Sequence, residues 1–211
     1  MAITVHRRDA SAPRRVALLV AFAAAGCSSS GGGVQVRDAG SPVAIGNAPT
    51  DGPASAPVVL VEFGDFECPY CGQEEPILRQ IRSDYQGRIR FVFKELPLSS
   101  IHPFAELAAE AALAANAQGK FWPYHDALYA HQTALARTDL DAYAAAVGLD
   151  LPTFDAALDQ GTYKAAVAAD VAQATSLGID ATPTLVVNET VIAGAAPYAQ
   201  LKSILDQQLG Q

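Results

Sequence analysis

Two cysteines separated by two residues, Cys68 and Cys71, come directly after an apolar run over 57–63. An amphipathic segment follows them to about Gln86. This order predicts a strand, a turn and a helix, with Cys68 at the helix N-terminus, exposed there. Unpaired backbone N–H groups and the helix dipole favour negative charge at that position, and the thiolate is the reactive form of cysteine. Pro69 suits the first helical turn because the N–H it lacks would have no partner there. The stretch therefore predicts a dithiol/disulfide redox centre.

Two other interpretations of the cysteine pair, a structural zinc site and an inert disulfide, are less favoured. A structural zinc site needs a second Cys or His pair at similarly short spacing, whereas His102, His125 and His131 are scattered over later segments. An inert structural disulfide is disfavoured because a two-residue loop constrains little chain entropy.

The net charge of −8 argues against a nucleic-acid partner, since phosphate binding relies on Lys and Arg. Residues 1–26 differ from the rest, with four Arg, one Asp and an apolar stretch over 16–25. That stretch is shorter than the roughly 20 residues that span a bilayer. It therefore predicts an export signal peptide, and an exported position would permit disulfides.

Small residues over 24–26 precede Cys27, and serines and glycines follow it. This pattern resembles a bacterial lipoprotein signal, in which the cysteine is lipidated. Residues 27–55 then read as a flexible tether, with a short edge strand over 43–45. The expected location is the cell envelope or periplasm, with the membrane reached through lipid on Cys27 and ordinary signal cleavage as the alternative.

The remaining chain predicts an α/β plan. A strand over 57–63, a helix over 69–86 and a strand over 88–94 form a βαβ unit with parallel strands. About 98–178 is helical almost throughout, far longer than an ordinary crossover helix, and predicts an inserted helical subdomain. In this block Ile101 and Phe104 fall at helical spacing with the apolar residues that follow. A β-hairpin over 184–193 and a closing helix complete the domain.

At this point the chain resembles the thioredoxin superfamily, in its DsbA-like branch. The resemblance covers about residues 56–210 and rests on four stretches: Val61 to Cys71, the His102-Pro103 and Gly119 to Asp126 segments, Gly178 to Thr184, and the closing hairpin and helix. It implies a thioredoxin fold with an inserted helical subdomain, taken here as 56–211. It also implies a thiol–disulfide oxidoreductase whose only cofactor is the Cys68–Cys71 disulfide. The implied partners are exported proteins with thiols or disulfides and a membrane redox partner that recycles the enzyme.

The resemblance also suggests roles for single residues. Thr182 and Pro183 match the cis-proline loop, which lies against the disulfide and pairs with the substrate backbone. Glu62, six residues before Cys68, matches a buried acid beneath the disulfide. Burial would raise its pKa and suit proton exchange with Cys71, and the alternative is a solvent-facing residue on an edge strand.

Other side chains near the motif have weaker assignments. Phe66, Pro69 and Tyr70 flank the disulfide and are expected to form an apolar docking surface for substrate. Glu75 is expected on the helix surface. His125 and Trp122 are expected to pack the insertion, since such residues at helical spacing commonly face a core.

The direction of exchange is left open by the sequence. Export and the insertion favour an oxidant, whereas the Pro-Tyr dipeptide lacks the histidine that would help to stabilise a thiolate, so a reductase or isomerase is an alternative. A copper chaperone using Cys68, Cys71 and a histidine is a second class of function. A redox-inert anchored binding module is a third.

Overall fold

The computed structural model describes residues 34–211. The predicted signal peptide, Cys27 and the start of the predicted tether lie outside the described residues. Six strands form one sheet in the spatial order β1-β6-β5-β3-β4-β2. In chain order they are β1 (Gln35–Asp38), β2 (Thr50–Asp51), β3 (Val58–Gly64), β4 (Ile89–Glu95), β5 (Thr184–Val187) and β6 (Thr190–Ala193).

The described helices comprise one after β3, a run of five between β4 and β5, and one at the end. They are α1 (Pro69–Asp84), α2 (Ala105–Ala117), α3 (Phe121–Ala130), α4 (Arg137–Ala146), α5 (Leu151–Asp159), α6 (Lys164–Ser176) and α7 (Tyr198–Gln208). No helix of residues 34–211 combines the length and the apolar character needed to cross a membrane.

The predicted βαβ unit is confirmed, because β3 and β4 pair in parallel through the α1 crossover. All other neighbouring strands pair antiparallel, including β5 with β3 and the hairpin partner β6 with β5. β3 therefore lies in the interior of the sheet, with strands on both sides. Its carboxyl end leads directly into the cysteine motif, so the most enclosed strand positions the site.

Alternation along β3 decides which side chains face each layer. Val58 and Leu60 pack with α1 and α7 on one face of the sheet. Val61 and Phe63 pack on the opposite face, with the end of α6. Glu62 follows Val58 and Leu60 in this alternation, so it points beneath α1.

The helical insertion is confirmed as a layer of its own between β4 and β5. Its apolar core is built mainly from α2, α3, α4 and α5 and includes Tyr124, Leu128, Leu140 and Phe154. The same buried cluster contains Phe66, Cys68 and Cys71 from the sheet unit. The insertion therefore forms one wall of the cysteine site.

Two predictions for the segment before β3 need correction. The edge strand expected over 43–45 is wrong, because the edge next to β6 is taken by β1. Val43 instead packs as a buried loop residue against the sheet. The flexible tether expected over 27–55 also does not describe β1 and β2, since backbone hydrogen bonding to β6 and β4 holds these strands in the sheet.

Candidate active site

Cys68 is the N-cap residue of α1, and Cys71 lies in its first turn. Both are free thiols. The expectation that Cys68 is exposed is wrong, since only 3% of the residue is accessible, while Cys71 is fully buried. The neighbours Pro69 and Tyr70 are exposed, so Cys68 lies just beneath the surface.

The turn that precedes Cys68 is held by Asp65, a residue that the sequence analysis did not single out. Its carboxylate accepts hydrogen bonds from the backbone N–H of Glu67 and of Leu98, each at 2.8 Å. Its backbone carbonyl accepts from the N–H of Cys68 at 3.1 Å. Asp65 thus fixes the position of Cys68 and ties it to the loop after β4.

Gln132, between α3 and α4, holds the same turn from the insertion side. Its amide nitrogen donates to the carbonyls of Phe66 at 3.0 Å and Cys68 at 2.7 Å. A Cβ at Gly72 would lie 2.0 Å from Oε1 of Gln132, so glycine is required for this close approach. A glycine directly after the second cysteine was the only signal in the sequence for this contact.

The peptide bond between Thr182 and Pro183 is cis, as the resemblance implied. Both residues are buried, and the carbonyl of Thr182 accepts a hydrogen bond from the Cys68 thiol at 3.4 Å. The loop before β5 therefore covers the sulfur of Cys68. A substrate backbone that pairs with this loop would be brought to that sulfur.

The surroundings of Cys68 favour its thiolate. The Cys71 thiol donates a hydrogen bond toward Cys68 and has the largest effect, and burial acts in the opposite direction. The buried Thr182 hydroxyl, which has no other partner, and the backbone N–H groups of Cys71 and Tyr70 also stabilise the anion. Together they lower the pKa of Cys68 to about 5. Cys68 is therefore a thiolate at neutral pH.

The surroundings of Cys71 have the opposite effect. Burial, the hydrogen bond to Cys68 and the negative charge of Glu62 together raise the pKa of Cys71 well above its ordinary value. Glu62 is fully buried, as the resemblance implied, and neither of its carboxyl oxygens has a hydrogen-bond partner. Burial, followed by the charges of Glu75 and Glu74, raises the pKa of Glu62 well above its usual range. The surroundings of Glu62 therefore favour its protonated form.

The expectation that Glu75 lies on the helix surface is wrong. Glu75 is buried on the same face of α1 as Cys71, and its carboxylate is paired with Arg82 at 3.3 Å and Arg79 at 3.4 Å. These two guanidinium groups offset the free-energy cost of burying the Glu75 carboxylate. The four-residue spacing from Cys71 was the signal for this position, because residues i and i+4 share a helix face.

The predicted packing roles of His125 and Trp122 are confirmed. His125 is fully buried, and its ring packs against Trp122 with the ring centres 5.3 Å apart. His125 also lies beside the two buried acids, since one donor or acceptor atom from each of Glu62, Glu75 and His125 falls within 4.8 Å of the others. The insertion therefore places an ionisable ring next to the acid beneath Cys71.

The docking surface predicted from Phe66, Pro69 and Tyr70 needs partial correction. Phe66 is buried and stacks on Phe93 with the ring centres 5.3 Å apart, so it cannot contact a substrate. Tyr70 is 60% exposed and Pro69 is exposed, as a docking surface requires.

The apolar residues that accompany Tyr70 at the surface are Ile101 and Phe104, which are 68% and 43% exposed. They precede α2, and the N–H of Phe104 donates to the carboxylate of Glu67 at 2.7 Å, which brings this loop to the residue next to Cys68. Helical spacing predicted Ile101 and Phe104 as part of the insertion, without a surface role.

His102 lies in the same loop and belongs to the site. Its Nδ1 contacts the Asp65 carboxylate at 2.7 Å. Burial tends to lower the pKa of His102, but the hydrogen bond to Asp65 and the negative charges of Asp65, Cys68 and Glu67 raise it above its ordinary value. A positive charge can therefore form close to the Cys68 thiolate, although the motif itself contains no histidine.

The copper-binding alternative uses a histidine as a ligand beside the two thiols. Within residues 34–211, no histidine or carboxylate comes together with Cys68 and Cys71 as a group of three close donor atoms. The geometry thus gives no support to the copper-binding alternative.

Comparisons with known proteins agree with this geometry. Residues 45–207 match the protein-family model described as thioredoxin. The Na(+)/H(+) antiporter NhaA 1 of Salinispora arenicola is 48% identical over 137 residues, which are 65% of this chain and 21% of the antiporter. The chain thus spans about a fifth of the length of the curated relatives that it matches.

Two solved structures have the same fold. Oxidised BdbD from Bacillus subtilis superposes with a TM-score of 0.75 at 27% identity, covering 81% of this chain and 97% of BdbD. The thiol-disulfide exchange protein alpha-DsbA2 from Wolbachia pipientis gives a TM-score of 0.69 at 22% identity, covering 76% of this chain and 86% of that protein. The chain belongs to the thioredoxin family, and its fold is that of the DsbA-like thiol–disulfide oxidoreductases, with a helical insertion in the thioredoxin core.

Proposed function

We propose that the protein exchanges disulfides with exported proteins and acts as their oxidant. The observation that carries the proposal is the asymmetry of the cysteine pair. Cys68 is a stabilised thiolate near the surface, whereas Cys71 is a buried thiol with a raised pKa. A pair of this kind has one sulfur that attacks and leaves easily and a second that stays protonated until it is needed.

The oxidising reaction starts from the Cys68–Cys71 disulfide. A substrate thiolate attacks the sulfur of Cys68, the bond between the two cysteines breaks, and its electron pair moves to Cys71, which takes a proton. A second substrate thiolate then attacks the substrate sulfur of this mixed disulfide. Cys68 leaves as the thiolate, and the substrate has lost two electrons to the cysteine pair.

The direction follows from the stability of the leaving thiolate. A disulfide is a stronger oxidant when its reduced form is stabilised. Hydrogen bonds from Cys71, Thr182 and the first turn of α1 stabilise the reduced form here. This stabilisation does not use the side chains of the Pro-Tyr dipeptide, so the absence of a histidine between the cysteines does not argue against an oxidant.

Substrate binding is assigned to the surface around Cys68. The cis-proline loop offers the backbone at Thr182, and Tyr70, Ile101 and Phe104 offer exposed apolar surface beside it. Unfolded chains expose both backbone groups and apolar side chains, so this surface fits a substrate that has not yet folded. Glu62 is the group that exchanges a proton with Cys71.

The cell envelope is the proposed location, with Cys27 as the lipid attachment site and a membrane redox protein as the partner that reoxidises the pair. These assignments rest on the predicted signal sequence and on the chemistry of the site. Sodium/proton exchange, named for the antiporter relatives, is not part of the proposal, because the match covers only about a fifth of those proteins.

The test is the reduction potential of the cysteine pair, measured by equilibrating the protein against glutathione buffers. We expect a value on the oxidising side of about −200 mV, toward the roughly −120 mV of strong oxidants. A value near about −270 mV would make the protein a reductant and contradict the proposal. Cys71→Ser should trap a mixed disulfide with glutathione, and Cys68→Ser should abolish exchange. Full exchange by Cys68→Ser would show that Cys68 is not the nucleophile.

A further inference from the structure

The ring of His125 lies in an aromatic enclosure. Five aromatic side chains surround it, with ring centres between 4.9 and 5.7 Å from its own, and they are Phe66, Phe93, Phe121, Trp122 and Tyr129. These walls offer almost no polar group. The two ring nitrogens of His125 therefore lie among mainly apolar groups.

The two nitrogens of His125 face different surroundings. Nδ1 is 2.9 Å from the carboxylate of Asp126, whose side chain is 42% exposed to solvent. Nε2 is buried without a hydrogen-bond partner and lies 3.9 Å from the Glu75 carboxylate. One side of the ring thus contacts the surface, and the other faces the buried acids beneath Cys71.

The tautomer of a neutral His125 follows from Asp126. Burial acts to raise the pKa of Asp126, but the hydrogen bond with His125 and the charges of His125 and Arg82 lower it. An ionised carboxylate only accepts hydrogen bonds, so Nδ1 of the ring carries the hydrogen. Nε2 then presents a lone pair, which can receive a proton from the interior.

The charged and titratable groups around this lone pair come from three elements. β3 supplies Glu62, α1 supplies Glu75 and Arg82, and α3 itself supplies Tyr129 and Asp126. Arg82 pairs with Glu75 and is 3.8 Å from Asp126, so both carboxylates are compensated. Neither carboxyl oxygen of Glu62 has a hydrogen-bond partner, so Glu62 is the acid among these groups whose surroundings favour the protonated form.

Thiol–disulfide exchange requires a proton to move to and from the buried Cys71. When the disulfide is reduced, Cys71 receives its electron pair and takes a proton from Glu62. When the pair is reoxidised, Cys71 returns the proton and its electron pair forms the bond to Cys68. Glu62 is fully enclosed, so one proton must enter and one must leave during each turnover.

We infer that His125 is a proton relay, which passes the proton between Glu62 and the surface carboxylate of Asp126. Nε2 exchanges a proton with the buried acid, and Nδ1 exchanges one with Asp126 and hence with solvent. The inference rests on the proposed function, because it concerns the proton of Cys71. It adds that the helical insertion supplies the route by which the thioredoxin core exchanges that proton with solvent.

The experiment follows the reduced protein with an aromatic disulfide reagent that releases one coloured thiolate at each step. In the first step Cys68 attacks the reagent and forms a mixed disulfide. In the second step Cys71 loses its proton, attacks Cys68 and releases the second thiolate. Stopped-flow absorbance gives both rates in one trace, and only the second step uses the relay.

His125→Phe keeps an aromatic ring inside the enclosure and removes both nitrogens. We expect it to slow the second step at pH 7 by about tenfold, within the range that positioned proton-transfer groups contribute, and to leave the first step unchanged. The matched control is His131→Phe, an exposed histidine at the end of the same helix, which should change neither step. Asp126→Asn keeps the His125 ring, tests the route if the first variant fails to fold, and should slow the second step by about threefold.

A comparison of His125→Phe in the natural protein and in Glu62→Gln distinguishes a proton relay from a change in packing. Glutamine cannot exchange the proton, so adding His125→Phe to Glu62→Gln should cause no further slowing. Equal slowing in both backgrounds, equal slowing of both steps, or an unchanged second step in Asp126→Asn and His125→Phe would overturn the relay. Loss of the first step in the natural protein would instead contradict the proposed function.

Discussion

The two sides of the cysteine pair are built differently. The outer side is formed by Tyr70, Ile101, Phe104 and the cis-proline loop. It lies on loops and at the start of α1, and it presents apolar surface and hydrogen-bonding groups. The inner side, which is formed by Glu62, Glu75 and His125, lies on β3, α1 and α3 and is sealed from solvent. Two sulfurs in one helical turn thereby acquire opposite preferences for the proton.

This difference shows that a short motif does not set its own chemistry. Hydrogen bonds from Thr182 and the helix start favour an anion at Cys68, while burial and the charge of Glu62 oppose one at Cys71. Under the proposed function, the outer side would control which sulfur meets the substrate, and the inner side would control when the second sulfur reacts. Substitutions can alter each side separately, and their expected effects decrease from the inner side to the outer side.

The largest effect is expected on the inner side, for Glu62→Gln. The pKa of Glu62 is raised in the folded state, so the folded protein holds a proton that the unfolded chain releases. Stability that depends on this group is therefore lost as pH rises from about 4.3 through the folded pKa. At pH 8 the variant should be more stable than the natural protein by about 2 kcal/mol, seen as a melting temperature higher by about 5 °C.

The measurement is the melting temperature of both proteins at pH 5 and pH 8. The natural protein should lose more stability over this interval than Glu62→Gln. Glu95 is buried with a raised pKa as well, so some decline remains in the variant. Glu189→Gln, an exchange at an exposed hairpin turn, is the matched control and should follow the natural protein. Identical pH dependence in Glu62→Gln would mean that Glu62 is not held as an acid.

The sequence predicted the cysteine motif and its flanking strand and helix better than the surroundings of the two cysteines. The strand, the cysteines and the helix could be located because apolar runs, spacing and helix-start chemistry are local signals. The buried position of Glu75 was missed, because its charge argued for the surface and outweighed the four-residue spacings that place it on one helix face with Cys71 and within reach of Arg79.

The apolar residues show the same limit. Phe66 was expected at the surface and is buried, whereas Ile101 and Phe104 have helical spacing and are exposed. Hydrophobicity reports that a side chain avoids water, but it does not distinguish a core from a docking surface. The contacts of Asp65 with Leu98 and of Gln132 with the turn before α1 join segments far apart in the chain, and Gly72 was the only local signal for the second.

A smaller effect is expected on the outer side, for Ile101→Ser with Phe104→Ser. Removal of apolar contact to an unfolded substrate should cost about 1 kcal/mol, which corresponds to about a fivefold rise in KM for a reduced, unfolded protein. The rate with a small disulfide reagent should not change, because such a reagent needs no docking surface. Steady-state oxidation assays with both substrates measure this difference.

Val36→Ser is the matched control for the outer side. Val36 is also a large exposed apolar residue, but it lies on the edge strand β1 rather than beside Cys68. It should leave KM for the protein substrate unchanged. If Val36→Ser raised KM as much as the combined Ile101→Ser and Phe104→Ser variant, apolar exposure in general would be responsible, and the outer side would have no special role.

The smallest effect concerns His102, which places a titratable cation among the negative charges of Asp65, Glu67 and Cys68 on the outer side. Its folded pKa is raised above the unfolded value, so its contribution is fully present below about pH 6.5 and is lost as pH rises through the folded pKa. His102→Gln should therefore cost about 0.5 to 1 kcal/mol at pH 5.5, with solvent screening included, and less at pH 8.5. Thermal unfolding at both pH values measures this, with the exposed His131→Gln as control.

His102 also tests how separate the two sides are. The Cys68 thiolate helps to raise the pKa of His102, and such coupling is reciprocal, so loss of the imidazolium must raise the pKa of Cys68. Thiolate absorbance against pH should show a small upward shift for Cys68 in His102→Gln and none in His125→Phe, because the latter residue acts on the inner side. A shift in both variants would mean that charge is shared across the cysteine pair, and the division into two sides would not hold.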